Sequence, residues 1–361
     1  MIIVVKIGTN LLTAKDGTLD KSCVKSFVSD IVAAKKSGHS IVLVTSGAIG
    51  AGIGRMKLKS RPKTLKEKQA LAAIGQPVLM DAYQEYFEEM GQTIAQVLLT
   101  RQDFVDRERY LNARNTMLTL IEMGVIPVIN ENDTVAVEEI NFSGNDMLAA
   151  LVAAKISADL LVILTDVDGL YDGEPGKGKL IRAVEKITGE IESLASDKSG
   201  SGKGVGGMKT KIEAAKVAGA AGVTTVIANG SKDGILNRIS SGEKDGTVFA
   251  PSKQLEARKC WIAFGTKCSG RIFVDKGAAA AIVERGKSLL ASGITKSEGK
   301  YEKGDTVSVL DADGKEVARG LVAFSSAEID KIKGKKSAEI AGIIGYAGAE
   351  EVIHRDNLVI L

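Results

Sequence analysis

The sequence predicts an α/β domain built on a mainly parallel sheet with helices on both faces, followed by a small β-rich domain. Three observations predict it. Short apolar runs rich in Val and Ile recur through the first two thirds of the chain. Longer segments with a period near 3.6 alternate with them, which is the pattern of crossover helices over buried parallel strands. After about residue 250 the segments shorten and Gly and Asp turns break them.

The strands are expected at 2–7 (IIVVKI), 40–45 (SIVLVT), 93–99 (TIAQVLL), 125–129 (VIPVI), 159–165 (DLLVILT) and 223–228 (VTTVIA). Helices are expected at 20–36, 65–90, 110–123 and 146–156. In such a sheet the carboxyl ends of the strands are the expected site. The β-rich part is read from RIFVD, DTVSVLD, EVARGLVAF and NLVIL, with short helices at 277–285 and 326–332. The stretch GTVFAPSKQLEARK reads as the connection, giving a first domain over 1–250, a linker over 251–258 and a second domain over 259–361.

Composition narrows the chemistry. With 361 residues the chain has room for two buried cores. Its 48 basic residues nearly match 45 acidic ones, too mild a balance to argue for nucleic acid or a membrane surface. Cys23, Cys260 and Cys268 are odd in number and form no C-x-x-C pair, so neither a disulfide framework nor a zinc site is expected and a reducing cytoplasm is the simplest compartment. Neither a signal-peptide core nor an apolar run near the roughly 18 residues of a membrane span is seen. His39 and His354 are the only histidines and have no nucleophile or metal-ligand partner at local spacing, which argues against His-dependent catalysis.

Several motifs carry chemistry, each with a plainer alternative. In VVKIGTN, Lys6 lies near a strand's carboxyl end; an ammonium there is costly unless it reaches an anion, or it is an edge lysine that reaches solvent. TSGAIGAGIG follows the second strand, and its glycines suit either close backbone approach to an anion or a tight packing turn. Gly202, Gly204 and Gly207 satisfy G-x-G-x-x-G, but the polar ASDKSGS precedes them rather than a buried strand, so the dinucleotide reading is weak. What remains is a glycine loop delivering Lys209, Thr210 and Lys211 to a helix start, or a surface loop. LLVILTDVDG ends a strand in Thr165 and Asp166, and VINEND and SGND place two clusters of amides and carboxylates beside a buried strand.

Taken together, VVKIGTN, VTSGAIGAG, LLTRQDFVDRERYLNARNT, PVINEND, LLTDVDGLYDGEP and GVGGMKTKIEAA resemble the glutamate 5-kinase branch of the amino acid kinase family, almost end to end. RKCWIAF, VDKGAAAAIVERGKSLLASGI and IIGYAGAEEVIHRDNLVIL resemble the PUA domain that bacterial members carry. The resemblance implies an αβα sandwich with a mainly parallel central sheet plus a PUA domain. It implies ATP-dependent phosphorylation of the γ-carboxylate of L-glutamate, the first step of proline synthesis from glutamate, with Mg2+ held mainly by the ATP phosphates. Such a carboxylate has an intrinsic pKa of about 4.3 and needs no general base, which fits the scarcity of histidine.

By motif, the resemblance gives Lys6 and Lys211 the role of stabilising the transferring phosphoryl group and Asp146 the role of orienting them. Ser46, Gly47, Asn130, Asp133 and Asn145 match substrate-binding positions. Lys6, Gly8, Thr165 and Asp166, with Val205, Gly206, Gly207, Met208, Lys209, Thr210 and Lys211, match the ATP-binding segments. A short hairpin is expected between NEND and SGND, over TVAVEEINF. Proline as an inhibitor at an overlapping site, a homo-oligomer (dimer or tetramer) and functional coupling to glutamyl phosphate reductase are further implications. Two positions depart from the family pattern: Gly144 stands where it usually has Asp, and Lys209 where a small Ser is common.

Two alternatives stand beside this reading. One is a family member acting on a different carboxylate or phosphate acceptor. The other is an RNA-binding regulatory protein acting through the PUA domain, against which residues 259–361 hold 16 Lys or Arg and 14 Asp or Glu, with KIKGKK as the sole basic cluster.

Overall fold

All six expected runs become strands of one sheet; five are almost wholly buried, while the one at 94–99 is half-buried at the sheet edge with Gln96 exposed. The structure is a computed structural model, which describes residues 1–14, 17–58, 60, 62–136, 144–174, 178–195, 207–251, 259, 261–266, 268–346 and 348–360. The chain divides into two compact units, Met1–Gln254 and Leu255–Leu361.

In the first unit the strands are β1 (Ile2–Ile7), β2 (Ser40–Val44), β3 (Ile94–Leu99), β4 (Ile126–Glu131), β5 (Leu160–Thr165), β6 (Ala183–Val184), β7 (Thr224–Asn229) and β8 (Thr247–Phe249). Their order is β3-β4-β2-β1-β5-β7-β8-β6. β1, β2, β3, β4, β5 and β7 run parallel, β8 is antiparallel to β7, and β6 pairs parallel with β8. The expectation that GTVFAPSKQLEARK is wholly connection is therefore corrected at its start: Thr247 and Phe249 are buried in the sheet. A three-residue run has no periodicity to read, and only pairing with β7 makes it a strand. Residues 252–258 of the expected linker lie outside the described residues.

The helices of this unit are α1 (Thr9–Leu12), α2 (Lys21–Lys36), α3 (Ala48–Met56), α4 (Leu65–Glu89), α5 (Gln102–Val105), α6 (Arg107–Glu122), α7 (Asn145–Lys155), α8 (Gly189–Leu194), α9 (Met208–Ala220) and α10 (Ile235–Ser240). α6 begins three residues earlier than its periodicity predicts because the Asp106 carboxylate accepts from Arg109 N and caps it. On one face of the sheet, Ile3, Val5 and Ile7 of β1 join a core with residues of α2, α4 and α10. Side chains alternate along a strand, so Val4 and Lys6 point to the other face, where α7 packs on β1 and β5 and α9 on β7.

Most of the glycines in TSGAIGAGIG serve packing. Gly50, Gly52 and Gly54 lie inside α3, not in a loop. A Cβ at Gly52 would sit 2.1 Å from Leu71 O, and one at Gly75 of α4 would sit 1.8 Å from Ala48 O, so the backbones of α3 and α4 touch where these two side chains are missing. Only Gly47 occupies the turn itself, as the residue before α3.

The second unit holds a five-stranded sheet of β9 (Cys268–Val274), β10 (Ile294–Gly299), β11 (Thr306–Leu310), β12 (Glu316–Leu321) and β13 (Leu358–Ile360) in the order β10-β9-β11-β12-β13. β9 and β11 are parallel and the other pairs antiparallel. Ile272, Val307, Phe324, Ile329 and Ile353 belong to its core. Helices at Lys276–Val283 and Ser326–Ile332 agree closely with expectation. β10 and the helix Ser337–Ile344 were not expected: ITKSEG buries only its first residue and is a strand by virtue of pairing with β9. Among the described residues no helix is long and apolar enough to cross a membrane.

Candidate active site

Three element ends meet on the α7 face of the sheet. Lys6 comes from the carboxyl end of β1, Asp146 from the first turn of α7, and Thr210 and Lys211 from the first turn of α9. Lys6 Nζ lies 2.7 Å from Asp146 Oδ1 and Lys211 Nζ 3.3 Å from Asp146 Oδ2. Thr210 Oγ1 lies 2.8 Å from Asp146 Oδ2 and 2.9 Å from the carbonyl of Gly207, its one hydrogen shared between the two acceptors, which ties the start of α9 to the same carboxylate. All three charged residues are buried.

The electrostatics follow from that geometry. Burial alone would raise the Asp146 carboxyl, but the ammoniums of Lys6 and Lys211, with hydrogen bonds from Lys6 and Thr210, outweigh it and hold the group at about 2. For Lys211, burial pushes the ammonium's pKa down; Asp146 pulls it up, Lys6 pushes it down again, and Asp166 adds a further upward pull. Two buried ammoniums therefore share one buried carboxylate. Two fixed ammoniums side by side suit an incoming polyanion.

A second cluster abuts the first. Asn145, the residue before Asp146, donates its side-chain amide to Thr45 O at 2.5 Å, Ser46 Oγ at 2.8 Å and Asn130 Oδ1 at 2.9 Å. Two amide hydrogens face three acceptors, so at least one bond is shared. Asn130 Nδ2 donates to Gln76 Oε1 at 2.9 Å and Gln76 Nε2 to Gln96 Oε1 at 3.0 Å, which carries the network into α4 and β3. The structure thus brings Ser46, Asn130 and Asn145 together. Gly47 starts α3 beside them. Asp133 lies in the turn after β4; burial raises its carboxyl to about 6. That turn is anchored by Asn132 N to Leu99 O at 2.9 Å and by Gln69 Nε2 to Ala136 O at 2.9 Å.

On the remaining side, Gly8 N donates to Leu164 O at 3.3 Å and Gly230 N to Thr165 O at 2.9 Å, so the turns after β1 and β7 converge on the end of β5. Asn10 Nδ2 donates to Asp166 Oδ2 at 3.2 Å and Thr165 Oγ1 to Asp166 Oδ1 at 3.1 Å. Gly207 precedes α9, Met208 is half-buried and Lys209 is exposed, while Thr210 and Lys211 turn inward. Val205 and Gly206 lie outside the described residues, as does most of the expected hairpin over TVAVEEINF, at 137–142.

Thr45, Gln76 and Asn10 were not read as site residues. Asn10 sits in the quoted VVKIGTN and Thr45 ends a strand run, so position alone pointed to both; Gln76 lies mid-helix in AAIGQPVL and has no local signal. Gly144 has φ +97° and ψ 166°, a conformation open essentially to glycine alone. Placing Asp there to match the family pattern requires this helix entry to rearrange.

Comparison with known proteins identifies the family. The model described as the amino acid kinase family matches residues 1–229, and the PUA domain model matches residues 270–344. The protein named glutamate 5-kinase from Thermoanaerobacter sp. is 53% identical over 365 residues, covering 100% of this chain and 98% of its own length. The one from Moorella thermoacetica is 47% identical over 363 residues, with 99% and 96% covered. Among solved structures, Giardia carbamate kinase superposes with a TM-score of 0.51 at 19% identity, covering 70% of this chain and 99% of that one, a likeness of fold.

Proposed function

The chain belongs to the glutamate 5-kinase branch of the amino acid kinase family, and from that premise we propose that it transfers the γ-phosphoryl group of MgATP to the γ-carboxylate of L-glutamate. The observation that carries the proposal is the pair of buried ammoniums, Lys6 and Lys211, held on the single carboxylate of Asp146. A carboxylate oxygen attacks the γ-phosphorus, the bond to the bridging oxygen breaks, and ADP leaves with its electron pair, giving L-glutamyl 5-phosphate. The nucleophile is ionised at neutral pH, so no proton has to be removed. The difficulty is bringing one anion against another while charge spreads over the transferring oxygens, and fixed ammoniums in a water-poor site relieve it.

In this reading Lys6 faces the phosphoryl group from the β1 side and Lys211 from the nucleotide side, with Asp146 fixing both. Asn145, Asn130, Ser46 and the turn at Gly47 orient the amino acid. Asp133, with its carboxyl raised to about 6 by burial, is ionised at neutral pH and available to the substrate ammonium. Gly8, Thr165, Asp166 and the segment from Val205 through Lys211 receive ATP. Asp146 already gives both oxygens to lysines, so Mg2+ is assigned to the ATP phosphates, where it would supply charge neutralisation when bound.

The catalytic unit is assigned to residues 1–250 and the PUA domain to residues 259–361. Proline is assigned as a feedback inhibitor overlapping the amino acid site, the active form as a homo-oligomer, and the compartment as the cytoplasm. The acyl phosphate product is activated for reduction, and functional coupling to glutamyl phosphate reductase is assigned with it. The test is ATP-dependent acyl phosphate formation, trapped as a hydroxamate, with glutamate, acetylglutamate and aspartate, each with and without proline. Glutamate should react and proline should suppress it; reaction of aspartate alone would overturn the assignment.

A further inference from the structure

The far end of α7 holds a second buried charge that the phosphoryl transfer leaves unused. Lys155 is 2% exposed, and its Nζ has no hydrogen-bond partner among the described residues. It lies instead over two aromatic rings, 4.2 Å from the centroid of Phe104 and 4.3 Å from that of Tyr110. Burial pushes its pKa down to about 8, opposed by the Asp103 carboxylate. An ammonium in such a place is costly, and ring faces recover only part of its lost hydration.

The contacts form a closed circuit. α7 begins at Asn145, whose amide reaches Asn130 of β4 at 2.9 Å. β4 pairs with β3 through Leu98 with Asn130 and Leu99 with Glu131. After β3 the chain turns sharply, the Asp103 carboxylate accepting from Thr100 N at 2.7 Å and Thr100 Oγ1 at 2.8 Å, and this delivers Phe104 in α5. Tyr110 follows in α6, and Arg114 Nε of the same helix donates to Lys155 O at 3.0 Å. Asn145 and Lys155 are ten positions apart, about 15 Å along a helix, and a helical side chain leans back toward its N-terminus. The ammonium thus closes the circuit from beneath the substrate cluster.

We propose that Lys155 is a positioning residue for amino acid binding: clasped by Phe104 and Tyr110, it sets the distance between the first turn of α7 and β4, and so between Asn145 and Asn130. The inference rests on the functional reading above. It predicts an asymmetric effect. Asp146 is held independently by Lys6, Lys211 and Thr210, so loosening the clasp moves the Asn145 side and spares the lysine side.

The experiment uses the full chain with Lys155→Met, which keeps length and apolar packing while removing the charge, Tyr110→Leu, and the double variant. Lys155→Met should raise the KM for glutamate by about 3- to 10-fold, with kcat and the KM for ATP within about twofold of wild type. The double variant should be no worse than the more affected single variant, because both changes open one contact. Hydrogen–deuterium exchange without substrate should rise over 149–152, whose amides donate to the carbonyls of the first turn of α7, in both single variants. An unchanged glutamate KM together with unchanged exchange, whatever the melting temperature does, overturns the proposal. Equal rises in the KM for ATP overturn it too, because the effect would then be general loosening. If the wild type phosphorylates another acceptor, the functional reading fails separately; that acceptor's KM is then read, and the exchange comparison stands without it.

Discussion

The two ends of α7 bury opposite charges in different ways. At the first turn, Asp146 is surrounded by two ammoniums and a hydroxyl and stays ionised down to about 2. At the last turn, Lys155 meets two ring faces, and burial pushes its pKa down to about 8. The difference teaches that a buried charge is held firmly only by groups of opposite charge or by hydrogen bonds. Ring faces hold one in place geometrically while leaving much of its desolvation uncompensated. One end of the helix is electrostatically locked; the other is sterically clasped.

The largest expected effect comes from unlocking the first end. Asp146→Asn removes the carboxylate that two buried ammoniums share and should destabilise the fold by about 3–5 kcal/mol, read by urea unfolding. Loss of less than about 1 kcal/mol would mean that the lysines are not bound to it as described. Next, Lys211→Ala should lower kcat by roughly 10²- to 10³-fold in the hydroxamate assay, by analogy with a removed oxyanion donor; turnover equal to wild type would reject its role.

Acid should break the same lock more gently. Asp146 has a folded pKa of about 2, below the ordinary 3.8. Its contribution is therefore complete above about pH 4 and is lost as pH falls through about 2, roughly 2 kcal/mol in all. Unfolding measured from pH 5 to 2 should show this slope in wild type and a shallower one in Asp146→Asn. Gly144→Asp, just before the locked turn, places a side chain at φ +97° and should cost about 1–3 kcal/mol; unchanged stability would mean that the helix entry adjusts freely.

The smallest effect is expected at the clasped end. Lys155→Met should leave stability at pH 7 unchanged or raise it by about 1 kcal/mol, the reverse of Asp146→Asn. Below about pH 8 Lys155 is charged in both folded and unfolded states and its burial cost is fully present. Between about 8 and its ordinary 10.5 the unfolded chain binds more protons, so wild-type stability gains with pH and the advantage of the variant shrinks. Asp103 of α5 and Arg114 of α6 face the same region and stay in place in both proteins. A Lys155→Met chain clearly less stable than wild type would erase the contrast between the two ends.

Much of this was legible in the sequence, for a definite reason. The long strands are apolar on both faces and the long helices are amphipathic, so their positions follow from local periodicity. Lys6 could be singled out because an ammonium at the end of a buried strand needs a partner. What the periodicity did not reveal were elements defined by pairing: Thr247–Phe249 and Ile294–Gly299 are strands because β7 and β9 lie beside them. The glycines after Ser46 likewise read equally well as an anion loop or as packing, and the close approach of Gly52 to Leu71 decided for packing at that position.

Residue order alone specifies the alternation of strand and helix, the family, and which lysines and amides stand at strand and helix ends. Those properties reside in residue type and spacing along the chain. Folding alone lets Lys6 and Lys211 share the Asp146 carboxylate, lets Gln76 complete the amide network, and sets Lys155 against two rings. These partners stand from 20 to 205 positions apart in the chain, and only the fold brings such distant positions together.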